Sequence, residues 1–549
     1  MRRDFLRSIA ATCTLSAAGL WLPRAAGAAG LSLHDRIERL YSNQLSFDGN
    51  GQPQISIGIA QEQTEVLLSA PRGLRVLPSG SEGTEIRGGS RWRLRIAETA
   101  PSDQRYAVAL DNFRPDVTRA IERARKRWHN RGLETAVHEV GAMFGVSGTV
   151  IDTRRLLVTT AALSSRAQAE RVATGLRLNY GIVGRLHPLV LHRAHGSMVA
   201  EDLDHGVSVL AQSVLWFAPT PGNHITVTLR STGRSATQAP SYRGQIYVAV
   251  DRSGKLSVVN VLGETGVLAG LVPAEMFPHA HPEALKAQAI AARGQLLTRI
   301  GQRHRDDPFL LCAHQHCQVY AGVTKEHPRT TAAVQDTAGR VLMRPHAARI
   351  ANTVYSANSG GHTEDNEHVW PSSADPLLRG RPDPLAPPQF RSGINAQNLR
   401  AWLLSAPRTY ARLDGASRAK AYRWEASIDP GSLDENPTIP PRFGRLLEIE
   451  ILDRGCSGRA TTVRLQGSRG SVTLRRELEI RRALGGLRSS LFLVHADRDR
   501  HGRFRLVGGG HGHGVGMCQH GAMGMAQAKL DAPQILAHYY RSAKLKKLW

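Results

Sequence analysis

At 549 residues, 41% of them apolar and 5% aromatic, the chain is long enough for three or four domains of ~150 residues and must pack mainly on aliphatic side chains. Lys and Arg number 71 against 46 Asp and Glu, a net charge of +25, which favours polyanions: nucleic acid, anionic lipid or anionic cell wall. The arginines are dispersed rather than blocked, and no helix-turn-helix or RNA-binding signature stands among them, so nucleic acid is set aside; an even spread of charge over a solvated surface explains the excess equally well.

The chain opens Met1-Arg2-Arg3-Asp4-Phe5-Leu6-Arg7, runs through a mostly apolar stretch from Ile9 to Leu22, and reaches the small-residue run Ala25-Ala26-Gly27-Ala28-Ala29. Charged region, apolar core and cleavage site in that order predict a signal peptide over 1–28. The paired arginines before Phe-Leu resemble a twin-arginine signal. The apolar core is too short and too punctuated for a stable transmembrane helix, although an uncleaved anchor is the alternative. No later run reaches ~18 uninterrupted apolar residues, so the processed chain is expected to be soluble, exported to the periplasm or cell wall. Twin-arginine export carries folded proteins, which lets a metal be loaded first. Cys13 falls in the signal, and Cys312, Cys317, Cys456 and Cys518 are too few for a disulfide framework in so long a chain.

Residues 31–100 predict a small β-rich domain: Ile55 to Ile59 alternates, and Val66-Leu67-Leu68 and Leu74-Arg75-Val76 flank the turn signal Pro71-Arg72-Gly73. Residues 101–180 predict a ferredoxin-like α/β module. Its expected order is strand Tyr106–Leu110, helix Pro115–Trp128, strands Thr135–Val137 and Thr149–Ile151, and helix Leu163–Leu176. That order, with Phe144 and the Ser-Arg-Ala-Gln-Ala-Glu run ending at Glu170, resembles the sporulation-related repeat, which implies glycan binding; a plain structural domain is the other reading. Residues 181–240 are a β-rich connecting segment by composition. From Tyr242 onward, Gln245–Val250 and Leu256–Val261 around Asp251–Lys255 predict a hairpin, followed by mixed helices and strands. The whole reads as an α+β multidomain chain whose last unit, 241–549, carries the chemistry.

In that unit, Pro282 and Glu283 suit a first helical turn, and Leu285, Ala289, Ala292 and Leu296 form one apolar stripe. Glu275 stands just before this helix, among Leu, Val, Met and Phe. Desolvation there raises a carboxyl pKa and keeps a proton available; capping a turn, or pairing with Lys286 or Arg293, is the alternative. Cys312, His316 and Cys317 offer soft and borderline zinc ligands within six residues, and the same spacing allows a Cys312–Cys317 disulfide. His304 and His314 compete as a fourth ligand. Gly508 to Gly516 holds six glycines, a loop whose backbone can approach a bulky ligand before a helix starting near Gln519. The Ser359-Gly360-Gly361 turn exposes His362 and Glu364 for binding, or folds them into a buried polar network.

Pro273-Ala274-Glu275-Met276, Pro282 to Arg293, His316 to Gly322, Ala332 to Leu342, Tyr355 to Glu364, Val369-Trp370, Ile480 to Phe492, Gly512 to Ala522 and His538-Tyr539-Tyr540 follow one another in the order of the stage II sporulation protein D family, which this chain resembles over roughly 241–549. The resemblance implies a lytic transglycosylase acting on peptidoglycan glycan strands denuded of stem peptides, with Glu275 catalytic. It favours zinc on Cys312, His316 and Cys317; for the fourth ligand His304 is preferred, with His314 competing. Lys286, Gln288, Arg293, Tyr355 and Ser356 are expected to contact the glycan, as are His362, Glu364, His513 and Gln519. Some relatives enhance an N-acetylmuramoyl-L-alanine amidase instead, so a non-catalytic amidase enhancer or a glycan-binding wall protein is the alternative. The chain departs from the family pattern at Cys518, where Ser is common, and at His520, where an aromatic is common.

Overall fold

The computed structural model describes residues 33–549 except 79–84, 230–238 and the single positions 116, 183, 315, 318, 346, 348, 434, 435, 437, 441 and 442. The signal expected over 1–28 lies outside the described residues. No described helix is long and apolar enough to cross a membrane.

The mixed α+β architecture follows the expectation, but the segments interleave. One sheet runs Ser46–Phe47, Pro53–Gln63, Leu256–Gly263, Gln245–Val250, Val214–Pro219, Leu74–Leu77 and Ile86–Arg87, with Leu311–Cys312 added in parallel on Pro53–Gln63. A second runs Ser208–Gln212, His195–Asp202, Arg91–Ala100, Glu65–Ser69, Ile225–Leu229 and Ser241–Tyr242. Strands from 31–100 and 181–240 therefore share both sheets and meet the hairpin that opens the C-terminal unit. The reason is backbone satisfaction: a buried strand must find ladder partners, and Pro53–Gln63 finds Leu256–Gly263 far along the chain. One core joins them, from Ile55 and Trp92 through Val258 and Leu285 to Tyr540.

The ferredoxin-like module is present with longer limits. Asp103–Phe113, Thr135–Val140, Arg155–Thr160 and Arg185–His192 pair antiparallel in the order fourth, first, third, second. Helices Thr118–His129 and Arg166–Tyr180 pack on the sheet through Ile121, Ala124, Trp128, Ala169 and Leu176. The expected strand Thr149–Ile151 is instead one arm of a hairpin, Met143–Val146 with Thr149–Asp152. Its Phe144, Val146 and Ile151 enter the main core. Gly141 N donates to Gly301 O at 2.7 Å and Thr153 Oγ1 to Ile300 O at 2.9 Å, so this hairpin fastens the module beside the loop carrying His304.

Helix Pro282–Arg299 is the pillar of the C-terminal unit. Pro282 sits in its first turn and the His281 side chain accepts from Glu283 N. From Ala284 to Leu297 every residue except Lys286 is buried, so the expected stripe is in fact a helix buried all round. Helices Glu264–Glu275, Pro328–Asp336, Gln519–Gln527 and Ala532–Tyr539 surround it. A further lobe, built on Arg423–Ile428, Phe492–Val494 and Phe504–Gly509 and on Leu446–Arg454, Ala460–Gly467 and Ser471–Arg475, has its own core of Trp424, Phe443, Leu465 and Phe492.

Candidate active site

Glu275 is the last residue of helix Glu264–Glu275, which holds Pro273 in its final turn. Its carbonyl accepts from Gln519 Nε2 at 2.8 Å, and the same amide donates to Gln288 Oε1 at 3.2 Å. Gln519 opens one helix and Gln288 sits on the pillar, so three helices meet at the backbone of Glu275 and fix where its side chain starts. The side chain is half-buried. Burial raises its pKa, and the Arg299 guanidinium acts against the rise. Among the described residues no second carboxylate shifts it. Buried Tyr355 bonds to Gln288, and its phenol is pushed well up by burial and by the Glu275 charge, so it remains a neutral donor. The site therefore joins a carboxyl whose pKa burial raises, a phenol and two amides.

Arg299 is the site residue that sequence reasoning missed. It lies eleven positions beyond Gln288 on one helix, which is nearly the same helical direction, and that spacing was the available signal. The expected contact Arg293 faces elsewhere. It is fully buried, with Nε on Glu264 Oε1 at 2.8 Å and Nη1 on Arg340 O at 3.0 Å, so it ties helices together and cannot touch substrate. Lys286 bonds Glu283 at 3.1 Å and Asp336 at 3.4 Å, so neither cation pairs with Glu275.

His362 and Glu364 form the buried polar network rather than a binding surface. Glu364, 1% exposed, accepts from Ser457 Oγ at 2.6 Å, His368 Nδ1 at 2.9 Å, Cys456 N at 3.1 Å and Asp365 N at 2.8 Å. Burial alone would raise its pKa, but these donors, with His368 and Ser457 foremost, hold it at about 2. Arg459, fully buried, donates to Ser457 Oγ at 2.9 Å, His362 O at 3.3 Å and Ser359 O at 3.0 Å. Ser356 is also buried, its Oγ accepting from Gly514 N at 3.2 Å.

The glycine-rich loop makes room for neighbouring protein at two of its glycines. Gly514 and Gly516 have φ of 78° and 71°, and a Cβ would meet the Arg459 guanidinium at 2.3 Å and Val354 O at 2.1 Å, respectively. Beside it, the ring of His513 packs on Trp370 at 4.8 Å between centroids, and burial lowers its pKa to about 3. The helix from Gln519 starts where expected. Cys518 is its N-cap: Sγ accepts from Gly521 N and Ser359 N, both at 3.2 Å. His520 Nδ1 accepts from Asn358 Nδ2 at 3.0 Å. A cavity of about 340 Å³ lies along Trp424–Asp429 and Leu484–Arg488, and Glu275 is not part of it.

The metal-ligand candidates do converge. His304, Cys312, His316 and Cys317 place their donor atoms within 4.8 Å of one another, and His314 is not among them. His316 Nδ1 lies 3.8 Å from each sulfur and 3.2 Å from His304 Nε2. The buried carboxylate of Asp307 holds His304 Nδ1 at 2.8 Å, aiming Nε2 inward. Both cysteines are free thiols. Cys312 is driven toward thiolate by the Cys317 thiol, His304 and His316. Two sulfurs and two imidazoles with a carboxylate behind one of them suit zinc.

A family model described as stage II sporulation protein matches residues 252–343, and one described as a domain of unknown function matches 364–516. An uncharacterized protein of Brachyspira hyodysenteriae is 30% identical over 289 residues, 52% of this chain and 68% of that protein. The amidase enhancer of Bacillus subtilis is 28% identical over 294 residues, 51% of this chain but only 40% of that protein. The stage II sporulation protein D of Bacillus amyloliquefaciens is 25% identical over 343 residues, 59% of this chain and 85% of that protein.

Proposed function

The chain belongs to the stage II sporulation protein D family, and from that premise we propose that it is an exported lytic transglycosylase that cuts the glycan strands of peptidoglycan. The observation that carries the reading is Glu275, a half-buried carboxyl with a raised pKa and no partner carboxylate acting on it among the described residues. Hydrolytic glycosidases use two carboxyl groups. A lytic transglycosylase manages with one, because the nucleophile is a hydroxyl of the substrate itself.

Protonated Glu275 gives its proton to the glycosidic oxygen as the bond from muramic acid C1 breaks. The carboxylate left behind then takes the proton of the C6 hydroxyl as that oxygen bonds to C1. The product is a 1,6-anhydro end, no water is consumed, and Glu275 returns protonated. Attack within one sugar removes the entropy cost of recruiting a second reactant. Tyr355, a neutral donor, and Arg299, a cation, help to stabilise the carboxylate formed between the two half-steps. Strands freed of stem peptides fit a chain of +25, since each muramic acid then bears a free lactyl carboxylate. His304, Cys312, His316 and Cys317 would hold a structural zinc, which contributes folding free energy and takes no part in the proton transfers.

The test is release of anhydromuramyl ends from glycan without stem peptides, read by mass spectrometry. Glu275→Gln keeps the size of the side chain but cannot carry a proton, and a loss of ~100-fold or more is expected. Near-normal anhydro product from the purified variant would overturn the assignment. The amidase enhancer relative supports a second reading: if the unsubstituted chain releases no anhydro ends yet accelerates an N-acetylmuramoyl-L-alanine amidase, that one holds.

A further inference from the structure

Phe277 follows Glu275 by two residues and is 55% exposed. A lone exposed Phe is ordinary. This one has a cation over its ring: Arg418, on helix Ala416–Tyr422, places its guanidinium carbon 5.6 Å from the ring centroid. Arg418 has no hydrogen bond or ion pair among the described residues, so the ring is the contact that positions it. The same guanidinium acts on His520, whose pKa falls to about 4 through burial first and Arg418 second. His520 adjoins Gln519, whose amide holds the Glu275 carbonyl. Arg418 thus acts both on the ring two positions after Glu275 and on the first turn of the helix that anchors Glu275. It is supplied by the region matching the second family model, whereas Glu275 lies in the first.

A flat apolar face two residues from Glu275 and a guanidinium over it suit a ligand with one apolar face and one oxyanion. A pyranose offers the first through its C–H groups, and a carboxylate on a short arm offers the second in the forked geometry that arginine matches. We propose that Phe277 and Arg418 form a saccharide subsite beside Glu275 for a pyranose bearing a free carboxylate, with Phe277 against the ring and Arg418 on the carboxylate. The proposal rests on the glycan reading above and assigns the preference for free lactyl groups to one side chain rather than to overall charge.

The test measures binding in the Glu275→Gln background, where no strand is cut. Two probes are used: fluorescently labelled glycan strands with free lactyl carboxylates, and the same strands with those groups converted to methyl amides. The parent is expected to favour the charged strands ~10- to 100-fold, the range of a hydrogen bond to a charged group. Arg418→Gln should erase that ratio by weakening only the charged probe. Phe277→Ala should weaken both probes roughly three- to tenfold with the ratio intact. Arg123→Gln, an exposed arginine on the ferredoxin-like module, controls for general charge. The subsite is overturned if Arg418→Gln keeps the ratio, if Arg123→Gln lowers it as much, or if Phe277→Ala leaves both affinities unchanged. Lytic activity is scored separately on the chain with Glu275 intact. Loss of the ratio in Arg418→Gln without anhydro products from that chain would leave the subsite standing and remove the lytic reading.

Discussion

Glu275 and Glu364 come from two motifs of one unit, both lie in largely desolvated surroundings, and their pKa values move in opposite directions. Around Glu275 burial wins, because Arg299 alone opposes it. Around Glu364 burial is stronger still, yet Ser457, His368 and backbone N–H groups reverse it and hold the carboxylate at about 2. Burial alone therefore does not make a proton donor; the count of hydrogen-bond donors aimed at the oxygens decides. One carboxyl is raised above its ordinary value, and the other is a fixed anion that holds the Ser359–Glu364 turn onto Arg459.

The same substitution at both positions breaks the comparison most strongly. Glu364→Gln should cost ~3–5 kcal/mol of stability, because an amide turns donors onto donors and leaves the buried Arg459 without its counter-charge. Glu275→Gln should leave the fold intact while removing glycan cleavage. Urea unfolding of the two proteins side by side decides: equal stabilities would make Glu364 as dispensable to the fold as Glu275.

Acid and base should separate them again. Glu364 falls from 4.5 to about 2 on folding, so its stabilisation is present above pH 4.5 and is lost as pH drops toward 2, ~3 kcal/mol in all. Glu275 is raised, so its ionisation costs the folded state and stability declines as pH rises above 4.5. Glu275→Gln removes that decline and should exceed the parent in stability at neutral pH; Glu364→Gln should lack the loss between pH 4.5 and 2. Burial lowers the pKa of His513 to about 3, which adds destabilisation below pH 6.5 to the parent and to both variants, so the differences between curves carry the test.

Part of this contrast is legible in the sequence, and the illegible part has physical causes. Pro282 with Glu283, and the apolar setting of Glu275, are local signals, and local signals survive folding. The hairpin Gln245–Val250 with Leu256–Gly263 reads equally well from its turn. What the sequence does not carry is pairing at long range. Nothing in Ile55-Ser56-Ile57 names Leu256–Gly263 as its neighbour, and Thr149–Ile151 has the same β-branched character whether it joins the module's sheet or plugs the main core. Glu364 stayed open between a binding surface and a buried network for the same reason: its donors, Cys456 and Ser457, lie about ninety residues on. Arg293 looked like a site cation because its buried partner, Glu264, sits 29 residues away on another helix.

The cluster of His304, Cys312, His316 and Cys317, proposed above to hold zinc, tests a charge network of the Glu364 kind in which the anion works through a histidine. Asp307 holds His304 in the tautomer that presents Nε2 to the cluster. Asp307→Asn keeps the shape and removes the charge. It should weaken zinc binding ~10- to 100-fold in competition with a chelator. Unchanged affinity would mean that His304 needs no support, or is not a ligand; His304→Ala measured alongside separates the two.

The smallest expected effect concerns Cys518, where the family commonly has serine. Its Sγ accepts from Gly521 N and Ser359 N, and so joins the start of helix Gln519–Gln527 to the turn that leads to Glu364. Sulfur is a weak acceptor, so the cap is worth less than an oxygen would give. Burial raises the Cys518 pKa, which leaves it a neutral thiol whose lone pairs face the two N–H groups. Cys518→Ser shortens the acceptor but strengthens it, and stability should stay within ~0.5 kcal/mol of the parent. Cys518→Ala removes the acceptor and should cost ~0.5–1 kcal/mol, at or below the usual worth of an oxygen N-cap. Because Gln519 anchors the Glu275 carbonyl, a frayed helix start should also loosen the proton donor, lowering cleavage by Cys518→Ala but not by Cys518→Ser. If both variants lose activity alike with stability unchanged, the thiol itself takes part in the reaction and the capping account fails.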